Sequence, residues 1–175
     1  DEAWLDVTNQ LDKLFSSIRS GKFRLDKGEN NIAFEYESSE KINIFIIYSQ
    51  KDNPSYKENI IQRLELLKQD YNIDYWVDDN LIVGEEWEKV IKENVEKADI
   101  FLFLASPNTH LSEFTRRIEL KRAIEKAKKD ECIVVPIICE AYRWEEKEFT
   151  SFQVLPKNGV AISELPNPNK AYMEI

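Results

Sequence analysis

Three short runs of this 175-residue chain, at residues 42–48, 100–105 and 132–138, are almost wholly apolar. Each is far shorter than the roughly 20 residues that span a bilayer. Each also lacks the alternation of a strand with one wet face, so each reads as a strand covered on both sides. Between them, apolar residues recur at three- and four-residue spacing: Tyr56, Ile60, Ile61, Leu64 and Leu67, then Trp87, Val90, Ile91, Val95 and Ala98, then Phe114, Ile118, Ala123, Ile124 and Ala127. Residues 73–77 are strand-like, 160–162 suggest a weak last strand, and Asn167-Pro168 reads as a helix start. Strands alternating with helices through short connections predict an α/β fold, a flavodoxin-like three-layer sandwich around a parallel sheet of about five strands.

Residues 1–40 follow a different pattern. Trp4, Leu5, Val7, Leu11, Leu14, Phe15 and Ile18 mark an amphipathic helix ending near Gly21, and residues 32–36 read as a short strand or an extended linker. We therefore expect residues 1–40 to connect to an upstream region that is missing here, and residues 41–175 to form the domain. The sole methionine is Met173, which places the expected translation start outside the sequence.

The net charge of −9 argues against nucleic acid or an anionic membrane as partner, because phosphates need a basic footprint. One histidine, His110, rules out a His-rich metal site. Cys132 and Cys139 flank an apolar run and are expected as buried, reduced thiols in a cytoplasmic protein. No signal peptide is visible.

In a sheet of this kind ligands bind beyond the carboxyl ends of the strands. Those ends carry Tyr48 to Asp52, Asp78-Asp79-Asn80, Ser106-Pro107-Asn108 and Cys139-Glu140. Tyr48 and Ser49 either line a nucleotide pocket or form a polar strand-end turn. Trp76 and Trp87 either stack a base or nicotinamide, or belong to the core. Asp78 and Asp79 make a poor receiver-type pocket, since Ala105-Ser106-Pro107 offers no phospho-accepting aspartate. Gly84 allows a tight entry into the next helix but is not a phosphate loop, which would show several glycines. Ser106 bounds the pocket or ends its strand.

Four segments carry a resemblance. Residues 45–52 run from a strand into Tyr48-Ser49 and a polar loop. Residues 76–87 contain Trp76, the Asp78-Asp79 pair, Gly84 and Trp87. Residues 98–108 lead into 112–123, with Phe114 and Glu119. Val135-Pro136-Ile137-Ile138 is followed by Trp144 and by Leu155-Pro156-Lys157-Asn158-Gly159. In this order they resemble the boxes of Toll/interleukin-1 receptor (TIR) domains over residues 42–175. The second segment is similar to the second box and BB loop, and the tail is closer to bacterial members than to animal adaptors.

The resemblance implies an NAD-consuming immune effector that cleaves the nicotinamide–ribose bond of NAD+, with Glu119 as catalytic residue and with Tyr48, Ser49, Trp76, Asp78, Gly84, Trp87 and Ser106 binding substrate. Such chemistry suits a sparse site. Nicotinamide is cationic in NAD+ and leaves neutral, so no general acid is needed, and one carboxylate can face the developing positive charge. No cofactor or metal is expected, NAD+ being the substrate. The competing reading makes Glu119 a surface helix residue paired with Arg122.

The charge is polarised. Residues 78–88 carry a local −5 and residues 116–129 a local +5. TIR domains assemble head to tail, with the BB loop of one subunit completing its neighbour's site, and such contacts need two complementary patches. Asp79, Glu85 and Glu86 on one side and Arg116, Lys121 and Arg122 on the other are the assembly candidates. The alternatives are two ordinary solvated faces, or a basic helix that attracts the NAD+ pyrophosphate. The expected partners are NAD+, further copies of the chain and a sensor domain elsewhere in the same protein. The leading expectation is thus an NAD+ glycohydrolase of bacterial anti-phage defence, active once assembled. A non-catalytic TIR–TIR interaction module and an unrelated nucleoside glycosyl-transfer enzyme are the alternatives.

Overall fold

The computed structural model describes residues 2–20, 24–27, 30–33, 41–78, 85–112, 119–143, 152–156 and 159–164. Its elements in chain order are α1 (Glu2–Arg19), β1 (Arg24–Lys27), β2 (Asn30–Ala33), β3 (Ile42–Ile47), α2 (Pro54–Leu67) and β4 (Ile73–Val77). They continue with α3 (Glu85–Lys97), β5 (Ile100–Ala105), α4 (Pro107–Leu111), α5 (Leu120–Lys128), β6 (Ile133–Ile138) and a 3₁₀ turn at Ile162–Glu164.

The three apolar runs become β3, β5 and β6 of a parallel sheet in the order β4-β3-β5-β6. β3 is hydrogen-bonded on both edges, with Ile46 opposite Val77 on one side and Leu102 on the other. Its side chains divide between two cores. Ile42, Ile44 and Ile46 pack with the stripes of α1 and α2, while Phe45 and Ile47 pack with those of α3 and α5. Such strands have no wet face, which is why their sequences show no alternation.

Among the described residues the parallel sheet has four strands, close to the five or so expected. The fifth position is held by a single bridge between Leu155 and Ile137, and the apolar run at 160–162 leads into the 3₁₀ turn with Ala161 and Ile162 buried. A three-residue apolar run reports burial without distinguishing strand from turn.

Two features lie in the expected connector. β1 and β2 pair as an antiparallel hairpin, Arg24 opposite Ala33; β1 is mostly polar, so no periodicity betrays it. α1 lays Trp4, Val7, Leu11, Phe15 and Ile18 into the α2 side of the core, each at most 3% exposed. Arg63 of α2 clamps its start, donating from Nε to the Trp4 carbonyl at 3.1 Å and lying 5.1 Å from the Trp4 ring. Tyr71 fastens its middle by donating to the Asp12 carboxylate at 2.8 Å.

Phe15 is fully buried and lies 5.7 Å from the Tyr71 ring, so Phe15→Ala is expected to cost about 3–5 kcal/mol in denaturant unfolding. Leu5, on the same helix but 57% exposed, is expected to change stability by less than about 0.5 kcal/mol when replaced by alanine. Two equally small effects would show that α1 is not part of the core in solution.

Candidate active site

Glu119 immediately precedes α5 with helical backbone angles, φ −73° and ψ −59°. The buried stripe of α5 includes Ala123, Lys126 and Ala127, and Glu119 lies on the same stripe at helical spacing. It is accordingly only 4% exposed. Burial pushes its carboxyl up to about 8, and the negative charge of Asp78 adds to the rise. Both effects disfavour a second negative charge in a poorly solvated place.

The alternative partner of Glu119 is occupied elsewhere. Arg122 grips Glu96 of α3 through two parallel bonds, Nε to Oε1 at 2.6 Å and Nη2 to Oε2 at 2.8 Å, and approaches Glu125 at 3.7 Å. Three residues on from Glu119, Arg122 falls off the buried stripe and meets α3 instead. Glu119 is therefore not a surface glutamate in an exposed helical pair.

Asp78 follows β4 and is half-buried. The Tyr48 hydroxyl, from the end of β3, donates to the Asp78 carbonyl at 2.7 Å, fixing the end of β4 against the end of β3. Trp76 stacks on Phe45 with ring centroids 4.8 Å apart, as a wall of the core beneath this edge. Ser49 is buried, and its Oγ accepts the Lys51 N–H at 3.2 Å within the strand-end turn.

Ser106 is fully buried. Its Oγ caps α4 by accepting the Thr109 N–H at 3.0 Å and donates to Asp52 Oδ2 at 2.7 Å. Asp52 also accepts from Thr109 Oγ1 at 2.8 Å and from Asn108 Nδ2 at 2.9 Å. This knot joins the loop after β3 to the loop after β5.

Next to the knot, at the carboxyl end of β3, a cavity of about 210 Å³ is lined by Tyr48, Ser49, Asp52, Tyr56, Lys57 and Leu104 among others. The Tyr56 hydroxyl is pushed up to about 12, chiefly by burial and then by the negative charge of Glu140. Sequence reading missed Tyr56 and Lys57 as site residues. Tyr56 looked like one more member of the α2 stripe, and only its position in the first turn, facing the strand ends, hints at a polar task.

Asp79, Gly84 and Arg116 lie outside the described residues, and so do the side chains of Glu85, Glu86 and Trp87 at the start of α3. Lys121 is exposed on α5. The basic stretch is partly used up inside the molecule. Lys126 is only 5% exposed, and its Nζ donates to the carbonyls of Val95, Glu96 and Ala98 at 3.1, 2.7 and 2.9 Å, closing the end of α3. Both cysteines are free and buried, and no helix among the described residues is long and apolar enough to cross a membrane.

The raised carboxyl has a thermodynamic consequence. Between pH 4.5 and about 8 the native Glu119 holds a proton that the unfolded chain has already released. Stability therefore falls as pH rises through that window, at up to about 1.4 kcal/mol per unit. Glu119→Gln is expected to stabilise the empty domain by roughly 2–4 kcal/mol at pH 8–9 and by little near pH 4.5. Thermal melts of both proteins across pH check this; a gap that does not widen between pH 5 and pH 8 contradicts it.

Comparison with known proteins agrees with this architecture. An uncharacterized protein of Sinorhizobium fredii (strain NBRC 101917 / NGR234), y4lF, is 29% identical over 132 residues, covering 75% of this chain. The chain spans only 41% of that protein's length. The search of solved structures returns no match. The TIR domain family matches residues 44–162, from the first residues of β3 to the 3₁₀ turn and with Asp78 and Glu119 inside it. The chain belongs to the TIR domain family.

Proposed function

We propose that this TIR domain is an NAD+ glycohydrolase of bacterial anti-phage defence, with Glu119 as its catalytic carboxylate. The observation that carries the reading is the burial of Glu119 close enough to Asp78 to feel its charge, on the inner side of α5. Leaving a carboxyl there costs stability, which a surface used only for docking has no reason to bear. A ligand that brings positive charge relieves the penalty. The nicotinamide half of NAD+ is such a ligand.

In the reaction the bond between C1′ of the ribose and the nicotinamide nitrogen breaks, and its electron pair leaves with the now neutral nicotinamide. Positive charge develops on C1′ and the ring oxygen, facing ionised Glu119. Water then adds at C1′ and loses a proton, giving ADP-ribose. Arrival of the cation favours the ionised form of Glu119, so binding lowers its raised pKa.

The test is nicotinamide release from NAD+ by concentrated protein. Glu119→Gln is expected to reduce the rate by about 10²–10³. For the wild type, kcat/KM should rise with pH to a plateau above about 8, because this parameter reports the free protein's ionisation. Equal release by wild type and Glu119→Gln would overturn the enzymatic reading.

Activity is proposed to depend on head-to-tail assembly, with exposed Lys121 among the contacts. Assembly measured by sedimentation is expected to weaken at high salt and in Lys121→Glu. If neither changes it, the charged patches are ordinary solvated faces.

A further inference from the structure

Glu119 sits at the least secured end of its helix. In the capping position before α5 it makes no side-chain capping bond, and helix ends left open in this way fray first. Burial pulls the same way. A carboxyl only 4% exposed, and close enough to Asp78 after β4 to feel its charge, gains solvation whenever that turn loosens.

Two side chains of α5 oppose this loosening, and both reach the end of α3. Lys126 anchors the far half of α5 by donating to the carbonyls of Val95, Glu96 and Ala98. Arg122 anchors the first turn through its fork on Glu96, at 2.6 and 2.8 Å. Two parallel bonds fix the plane of the guanidinium as well as its distance. The anchors lie four residues apart, about 6 Å along the axis, so together they fix the rotation of α5 and with it the inward direction of Glu119. The Arg122–Glu96 pair suits neither helix by itself. Glu96 stands in the last turn of α3 and Arg122 in the first turn of α5, each at the end whose dipole disfavours its charge. Its partly exposed position also gives it little weight in overall stability. What the pair does supply is a rigid link between two helices.

We propose that Arg122, through Glu96, is a positioning residue that holds the Glu119 carboxylate at the reacting centre. It belongs to the internal frame of the site rather than to a docking face between copies. The link stays charged while Glu119 titrates, because the Arg122 bond holds the Glu96 carboxyl below its ordinary range. The effect on catalysis rests on the proposed cleavage of NAD+; the effect on the Glu119 side chain does not.

The ionisation of Glu119 in the ligand-free chain tests this without substrate, read from carbon NMR of the glutamate carboxyls, with Glu119→Gln identifying the signal. Loosening the turn admits water, so Arg122→Gln should lower the pKa from about 8 by about one unit or more. Glu96→Gln should lower it as far, and the double variant no further than either single one. Direct charge effects predict otherwise: loss of the Arg122 cation would raise the pKa and loss of the Glu96 anion would lower it. Arg122→Lys keeps the charge without the fork and should recover only part of the wild-type value. In the nicotinamide-release assay at about pH 9, Arg122→Gln should reduce kcat about tenfold and change KM less than about twofold. An unchanged or raised pKa in Arg122→Gln, or shifts of opposite sign in the two single variants, overturns the proposal even if Glu119→Gln abolishes nicotinamide release. Weaker assembly of Arg122→Gln with an unchanged pKa marks a docking residue and overturns it likewise. Lowered values in both single variants that do not add in the double one support it even if no nicotinamide is released.

Discussion

β3 is the strand on which everything else rests. It is paired on both edges and covered on both faces, by α1 and α2 on one side and by α3 and α5 on the other. A segment enclosed in this way can carry chemistry only where it stops. At Tyr48 the chain leaves the sheet, and within a few residues it supplies a cavity wall, a tether to the end of β4 and the Asp52 knot. The hydrophobic burial that stabilises the sheet also confines its polar groups to one rim.

At that rim one ionisable group is held against its own preference. Glu119 is oriented by the helical repeat of α5 toward the core, while Asp78 is brought near by the parallel pairing of β4 with β3. Neither element is unusual. Their combination concentrates negative charge in a poorly solvated place, and such perturbed groups gather at functional sites more often than elsewhere. In the proposed chemistry the arriving cation relieves this tension, which links the cost in the empty domain to the reaction.

The basic stretch after Glu119 has a double character that its local charge conceals. Lys126 is an internal cap for α3, and Arg122 is committed to Glu96. These contacts fasten α5 to α3 and so hold Glu119 in place. Lys121 on this stretch is exposed. Formal charge along a chain overstates what a partner can meet, because a lysine stem can cross apolar surface and spend its ammonium inside.

The sequence by itself determined the alternation from β3 through α2, β4, α3, β5 and α5 to β6, the double burial of β3, β5 and β6, and the strand ends at which to look. Those follow from the periods of backbone geometry, which are local. The resemblance singled out Glu119, but composition and spacing made it no different from Glu96 on α3 or Glu125 on α5. Only the tertiary structure decided that Arg122 is held by Glu96, that the charge of Asp78 acts on Glu119, that Ser106 is locked into the Asp52 knot, and that Tyr56 and Lys57 line a cavity. It also decided that α1, amphipathic in sequence, packs its stripe against β3 and α2. Burial and electrostatic proximity join residues far apart along the chain, and no local period carries that information.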